Sequence, residues 1–229
     1  MNLPQPGDFI DIHNHNGSPV AGRYSIENLM AHEPQVPDFK EGIVYTFGIH
    51  PWFLSEDNFS NQMEKVRMYV RHENVAATGE AGFDKLKGPS IELQTMAFDE
   101  QVKIAEEYSR PVYIHCVKAW GDLLAAHRRL KPSRPWLVHG FRGKKDLALQ
   151  LLSRGMYISF WFEFVLRPES RELIRNLPSD RIFLETDGSG EDISEIYKKV
   201  AVDLGLEVDQ LKKQINSNFN IYFGVKGSR

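Results

Sequence analysis

Short apolar runs alternate with longer amphipathic stretches along most of the chain. The apolar runs are rich in β-branched and aromatic residues and are bounded by glycine or proline, which is typical of buried strands. They predict strands over residues 8–13, 43–49, 75–79, 112–115, 136–139, 156–160 and 181–185. The stretches between and after them have helical periodicity and predict helices over residues 59–71, 90–109, 119–130, 144–153, 168–176, 192–204 and 208–222.

Strands that alternate with helices favour a parallel sheet with helices packed outside it. Seven strands are evident, and an eighth could lie at Arg23–Met30, where no ordinary helix fits the pattern. Eight strands would close a (β/α) TIM-type barrel, and 229 residues suit one such domain. At least one outer helix is missing between the first strand and residue 43. We therefore predict a single α/β barrel domain over residues 1–229 that lacks an outer helix near its N-terminus.

Composition and charge narrow the class of protein. Hydrophobic residues make up 41% of the chain, which is enough for a sizeable core. The net charge is −3 and the sequence pI is about 6.3, so the overall basic character of many nucleic-acid-binding domains is absent, although a local basic patch stays open. With Cys116 alone no intrachain disulfide can form, which suits a reducing compartment. No signal-peptide pattern or membrane-length apolar run is evident, so a cytoplasmic protein is expected.

Side chains that can bind metal stand at or just after the ends of the predicted strands. They are His13, His15, His50, Glu80, His115, His139 and Asp187. In a barrel of parallel strands the carboxyl ends of the strands meet at one face, and the active sites of such barrels lie there. The sequence therefore predicts that side chains from distant parts of the chain converge on one site.

The number and kind of these side chains predict two metal ions. His13 and His15 are two residues apart in a strand, so they point to the same side and can bind one ion. A single catalytic metal usually has three protein ligands, whereas two divalent ions about 3.5–4 Å apart that share a carboxylate would use six. These six are His13, His15, Glu80, His115, His139 and Asp187. Four imidazoles and two carboxylates favour Zn²⁺ or Mn²⁺ over Mg²⁺.

Several motifs occur in an order that resembles one family. They are Asp11-Ile-His13-Asn-His15, Gly48-Ile-His50-Pro51, Thr78-Gly79-Glu80-Ala-Gly82-Phe-Asp84, Pro111-Val-Tyr-Ile-His115, His139-Gly-Phe141-Arg-Gly143, Leu184-Glu185-Thr186-Asp187 and the late Asn218 and Phe223. From about residue 8 to residue 224 the chain resembles TatD-type metal-dependent hydrolases of the amidohydrolase-like superfamily. The resemblance implies a (β/α) barrel that hydrolyses phosphodiester bonds, with deoxyribonuclease activity the usual assignment.

The resemblance also implies a role for each ligand. His13, His15, Glu80 and Asp187 would hold one ion, and Glu80, His115 and His139 would hold the second, so that Glu80 bridges the two. Glu80 and Asp187 are thus the predicted catalytic residues, and Asp187 would also orient or deprotonate the attacking water. Four further residues are expected to support the site or contact substrate: Asp11, His50, Arg142 and Glu185.

The chain departs from the family pattern on the substrate side of the site. Cys116-Val117 follow His115 where the family often has a Ser-Arg pair, and Lys85-Leu86 follow Asp84 where an aromatic residue is common. After Asp187, Gly188-Ser189-Gly190 lead directly into a predicted helix, whereas the family usually has a proline-containing loop that shapes the substrate groove. Four aromatic residues near strand ends could stack on bases or pack in the barrel: Trp52, Phe53, Trp161 and Phe162.

Three functions follow from these observations, and each keeps the metals. The first is hydrolysis of DNA or a small phosphodiester by water activated at two divalent ions, with Zn, Mn or Mg as the candidate metals. The second is hydrolysis of an amide, a lactone or another ester, since a fold does not decide its substrate. The third is a metal-holding interaction protein with little turnover.

Overall fold

The computed structural model describes residues 2–15 and 19–225. This part of the chain contains eight strands that follow the chain in sheet order: β1 (Phe9–Asn14), β2 (Arg23–Met30), β3 (Val44–Gly48), β4 (Val75–Asp84), β5 (Val112–Val117), β6 (Trp136–Val138), β7 (Tyr157–Trp161) and β8 (Ile182–Glu185). The α-helices are α1 (Glu56–Tyr69), α2 (Ile91–Glu107), α3 (Trp120–Leu130), α4 (Lys145–Leu152), α5 (Phe162–Val165), α6 (Pro168–Arg175), α7 (Ile193–Leu204) and α8 (Val208–Phe223). Two 3₁₀ turns lie at Pro51–Phe53 and Ser179–Arg181. No helix in these described ranges is long and apolar enough to cross a membrane.

The alternation of strands and helices is confirmed, and so is the eighth strand. Arg23–Met30 forms β2, which pairs in parallel with β1. Between Met30 and Val44 the chain forms turns and extended segments without a helix, and none occurs in the described residues between β1 and β2. Pro34 and Pro37 account for the absence of a helix between Met30 and Val44, because proline removes a backbone donor and disfavours a helix.

Strand β4 is longer than the sequence pattern predicts. We expected its end at Gly79, but it continues to Asp84, so Glu80 lies inside the strand and does not follow it. Gly82, inside the extended part of the strand, marks a close approach to β5. A Cβ atom placed there would lie 2.0 Å from the carbonyl oxygen of His115, and its backbone φ is +148°. Only glycine lets the two strands come this close.

The chain divides into two compact units. The first is built on residues 28–138 and holds β3 to β6 with α1 to α3. The second is built on residues 2–27 and on the described residues from 139 onward, and it holds β1, β7, β8 and the remaining helices. The single domain over residues 1–229 stays a prediction.

Each unit has its own buried core. In the first, Tyr45 and Phe47 of β3 pack in one cluster with Val66 of α1 and Ile104 of α2. In the second, aromatic residues of α7 and α8 pack against the strands. The hydroxyl of Tyr197 donates to the carbonyl of Ile10 at 3.0 Å and accepts from its backbone N–H at 3.2 Å, which ties α7 to β1. The strands that carry the candidate ligands therefore rest on rigid, well-packed supports.

Candidate metal centre

Five candidate side chains lie in the second unit, where they form what we call the Asp187 cluster: His13, His15, His139, Glu185 and Asp187. Oδ1 of Asp187 lies 3.5 Å from Nε2 of His13 and 3.4 Å from Nε2 of His15. Two ligands of one tetrahedral zinc ion, each about 2.0–2.1 Å from the metal, lie roughly 3.3 Å apart. The spacing of these three side chains therefore fits a divalent transition metal.

The turn after β8 holds Asp187 against the two histidines. Its backbone N–H donates to the carbonyl of His13 at 3.1 Å, and its φ is +50°, in the left-handed region that aspartate tolerates better than most residues. The next residue, Gly188, lies so close to His15 that an added Cβ would be 3.2 Å from the Cβ of that histidine. The carboxylate is thus fixed in place by its own backbone.

The charge of Asp187 also suits a cation. Burial acts to raise the pKa of its carboxyl, but hydrogen bonds from His13 and His15 outweigh burial and hold the pKa well below its usual range. Asp187 is therefore ionised throughout the neutral range, as a metal ligand must be.

His139 and Glu185 complete this cluster. The rings of His139 and His13 lie 4.5 Å apart between centroids, and Nδ1 of His139 is 3.6 Å from Oε1 of Glu185. Oε1 of Glu185 accepts from the backbone N–H of Gly140 at 2.7 Å, and Oε2 accepts from the hydroxyl of Ser159. With both oxygens bonded in this way, Glu185 is tied to the segment that carries His139, while the supporting role expected of it stays a prediction.

Asp11 lies two residues before His13 and was expected either to support a ligand histidine or to make a structural hydrogen bond. Its carboxylate accepts from the backbone N–H of Thr186 at 3.0 Å and from the hydroxyl of Thr186 at 2.7 Å. Burial raises the pKa of Asp11 to about 7, although these two hydrogen bonds lower it in part. Asp11 therefore acts on the site through β8, because it holds the residue next to Asp187.

The first unit brings together His50, Glu80 and His115, which we call the Glu80 cluster. Oε2 of Glu80 lies 3.4 Å from Nε2 of His50 and 3.7 Å from Nδ1 of His115. All three side chains are buried. An anionic carboxylate enclosed by imidazoles is the donor set that a divalent transition metal prefers.

The hydrogen bonds of His50 indicate that it supports Glu80 rather than binding metal. Its Nδ1 accepts from the backbone N–H of Trp52 at 3.1 Å. A neutral imidazole that accepts at Nδ1 carries its proton on Nε2, and Nε2 faces Glu80. His50 can therefore donate to the carboxylate of Glu80, and its expected role in supporting the site or contacting substrate stays a prediction.

His115 presents Nδ1 to Glu80 because its other nitrogen is bound by Asp84. Nε2 of His115 and Oδ2 of Asp84 are 3.1 Å apart. Asp84 also accepts from the indole N–H of Trp52 at 2.6 Å and from the backbone N–H of Leu86 at 2.7 Å. A carboxylate behind a ligand histidine fixes the ring orientation and raises the basicity of the ligand nitrogen. Asp84 is thus a positioning residue that the sequence analysis did not single out.

Replacement of Asp84 with asparagine is expected to weaken metal binding by about 10–100-fold, because His115 loses its anionic acceptor while the shape of the side chain is kept. A competition titration against a chromogenic chelator would measure this change. Asp99→Asn, which alters a carboxylate paired with Arg129 on the first unit's surface, is the control and should bind metal as the unmodified protein does. Unchanged metal affinity in Asp84→Asn would refute the positioning role.

Glu80 is held by an amide that the sequence analysis also missed. Nδ2 of Asn28 donates to Oε1 of Glu80 at 3.0 Å, and Oδ1 of Asn28 accepts from the backbone N–H of Glu80 at 3.0 Å. The hydroxyl of Thr46 donates to the same Oδ1 at 2.7 Å, which fixes the orientation of the amide. Asn28 thus occupies one carboxylate oxygen of Glu80 and leaves the other directed at the histidines.

Arg142 lies at the surface, where its guanidinium is 5.6 Å from the centroid of the Trp161 ring. Its expected contact with a substrate phosphate stays a prediction. The period-two pattern Tyr24, Ile26 and Asn28 in β2 could have indicated that Asn28 lies on a buried face, although it does not identify Glu80 as the partner of the amide.

Comparison with known proteins gives related sequences and folds. An uncharacterized metal-dependent hydrolase of Escherichia coli K12, YcfH, is 28% identical over 207 residues, covering 83% of this chain and 77% of the relative. A 3′-5′ ssDNA/RNA exonuclease TatD of Pantoea vagans is 32% identical over 181 residues, covering 75% of this chain and 67% of the relative.

Among solved structures, the TatD homologue YJJV of Escherichia coli K12 superposes with a TM-score of 0.77 at 22% identity, over 97% of this chain and 100% of that structure. This likeness confirms the predicted (β/α) barrel fold class. Residues 24–224 match the family described as TatD related DNase. The match spans most of the chain and includes the motifs that carry Glu80, His115, His139 and Asp187, so the chain belongs to the TatD related DNase family.

Proposed function

We propose that this protein is a divalent-metal-dependent hydrolase that cleaves phosphodiester bonds in DNA or in a smaller nucleotide ester. The observation that carries the proposal is the presence of two carboxylate–imidazole clusters with metal-ligand spacing, one around Asp187 and one around Glu80. Family membership supports it, and so does a relative that is named a single-stranded DNA and RNA exonuclease. A reducing compartment such as the cytoplasm suits a chain with one cysteine.

We propose two divalent ions, with Zn, Mn or Mg as candidates and with the ligands that the family resemblance implies. The residues that would hold the ions are His13, His15, Glu80, His115, His139 and Asp187, and their division between two ions, with Glu80 shared, stays the prediction that the family resemblance implies. Such ions, when bound, acidify water and polarise a phosphoryl oxygen. The six ligand side chains fit this assignment because four are neutral nitrogen donors and two are carboxylates.

The protein side chains divide the remaining work. Asp187, which is ionised and held by the turn after β8, would orient the attacking water or take its proton. Glu80 is kept in one orientation by Asn28 and His50, so its carboxylate does not have to reorganise during the reaction. Asp84 keeps His115 in the tautomer that presents Nδ1.

Removal and return of metal tests the proposal. Dialysis against a strong chelator should abolish cleavage of bis-p-nitrophenyl phosphate and of a single-stranded oligonucleotide, and added Zn²⁺ or Mn²⁺ should restore it. Metal content measured on the same preparation gives the number of ions. The replacement His13→Ala should lose both metal and cleavage. A metal-loaded protein that cleaves neither substrate, or full cleavage by His13→Ala, would contradict the proposal.

A second candidate is the hydrolysis of an amide, a lactone or another ester at the same metals. The short connection after Asp187 favours it, because α7 begins at Ile193 and leaves little chain to shape a nucleic-acid groove. A panel of esters, lactones and phosphodiesters separates the two functions. Cleavage of phosphodiesters alone would eliminate this second candidate.

A further inference from the structure

An exposed aromatic residue borders the Glu80 cluster in the first unit. The ring of Trp52 meets the ring of His50 at 4.9 Å and that of His115 at 5.4 Å, both edge to face. Its indole N–H is held by Asp84, yet 38% of the residue is exposed. Trp52 is therefore fixed on its inner side by the candidate metal centre and open to solvent on its outer side.

A lysine is held over this indole. The ammonium of Lys87 lies 3.8 Å from the centroid of the Trp52 ring, a cation–π contact, and the backbone N–H of Lys87 donates to Asp84 at 3.0 Å. The loop that carries Lys87 lines a cavity of about 260 Å³ together with Gly88 and Gln94. Lys87 is thus anchored beside the Glu80 cluster through both its backbone N–H and its ammonium.

Lys85 occupies a different environment, although it is only two residues away. Its ammonium forms an ion pair with Asp122 at 2.6 Å, so its charge is balanced within the protein. In the part of the chain that the structure describes, no ion pair involves Lys87, whose ammonium contacts an aromatic ring instead. Of these two lysines, Lys87 is the one whose charge is available to an anionic ligand.

We propose that Lys87 and Trp52 form a binding site for the part of the substrate next to the cleaved bond. Lys87 contacts the neighbouring phosphate of a single-stranded oligonucleotide, and the exposed surface of Trp52 contacts the adjoining base. The inference rests on the proposed phosphodiesterase function. It places this part of the substrate against the loop between β4 and α2.

The charge balance of the chain supports this choice of ligand. A chain with a net charge of −3 repels nucleic acid overall, so binding depends on cations held at defined positions. Lys85-Leu86 stand where the family often has an aromatic residue. Two residues after Lys85, Lys87 lies over the ring of Trp52, which belongs to the connection that follows β3. Phosphate and base together are the chemical features that this lysine–tryptophan pair can recognise.

A binding experiment that does not depend on cleavage tests the proposal. The metal-loaded protein is titrated with a fluorescein-labelled phosphorothioate oligonucleotide, which resists hydrolysis, at several salt concentrations. Lys87→Met keeps the alkyl stem over Trp52 but removes the charge. It should weaken binding about 3–10-fold and reduce the slope of log affinity against log salt by about 0.7, the value for one phosphate contact on a single strand. Lys87→Arg, which keeps the charge, should retain most of the affinity and most of the salt slope of the unmodified protein.

Lys85→Met is the matched control, since it removes a charge of the same sign two residues away, and its affinity and salt slope should equal those of the unmodified protein. Equal losses in both methionine variants, or no loss in Lys87→Met, would overturn the proposal. Absence of oligonucleotide binding in a protein that cleaves bis-p-nitrophenyl phosphate would overturn it and leave the proposed function intact. Lys87-dependent binding without any cleavage would support the site and count against the proposed function.

Discussion

Replacement of Asp187 with asparagine is expected to lower kcat for phosphodiester cleavage by at least about 100-fold, the usual contribution of a positioned general base. Asparagine keeps the size of the side chain and tolerates the left-handed backbone at this position, so the turn after β8 should remain intact. It retains a carbonyl oxygen toward His13 and His15 but cannot take a proton from water. Steady-state kinetics together with metal analysis would measure both consequences.

Asp192→Asn is the control for this experiment. It makes the same chemical change five residues further along, at the N-cap of α7, where asparagine caps as well as aspartate does. Its kcat and metal content should match those of the unmodified protein. If Asp187→Asn retains metal and loses turnover, the protein is not a mere metal-holding module; if it keeps its turnover, Asp187 is not the base.

Replacement of Asn28 with alanine is expected to weaken metal binding by about 10–100-fold, the usual cost of removing a partner that orients a ligand. The variant would remove the donor that holds Oε1 of Glu80, so the carboxylate could rotate. It would also leave the buried backbone N–H of Glu80 without its acceptor. The free energy of unfolding should fall by about 1–3 kcal/mol for that reason. A chelator competition titration and denaturant unfolding would report the two effects separately.

Thr46→Val gives a second variant that preserves the packing volume. It removes the hydroxyl that orients the amide of Asn28 but leaves both bonds between Asn28 and Glu80 in place, so its metal affinity should lie between those of Asn28→Ala and the unmodified protein. Asn74→Ala, at a partly exposed position in the same unit, should bind metal normally. Loss of stability in Asn28→Ala with unchanged metal affinity would show that Asn28 is structural only.

The sequence was sufficient to predict the alternation of strands and helices and the fold class, because periodicity and turn residues are local signals. It was less informative about strand ends. Gly79 and Gly82 resemble the end of a strand, and only the contact with β5 shows that β4 continues past both. The consequence for the site is that Glu80 projects from a strand interior and not from a loop.

The supporting residues of the candidate site were harder to predict because they act across long sequence separations. Asn28 and Glu80 are 52 residues apart, and Asp84 and His115 are 31 residues apart. His13 and His15 could be identified from their spacing, since both belong to one strand end. No comparable local pattern connects an amide in β2 with a carboxylate in β4, and β2 itself was the least evident strand.

The contact between Gly82 and His115 has a consequence for how this family can vary. A Cβ atom at position 82 would lie 2.0 Å from the carbonyl oxygen of His115, well inside van der Waals contact, so the position is closed to all other residues whatever their chemistry. The helix-free segment 31–43 is under no such restriction, because much of it lies at the surface. Insertions and substitutions should therefore accumulate in that segment during divergence, while position 82 stays fixed even in descendants that have changed their substrate.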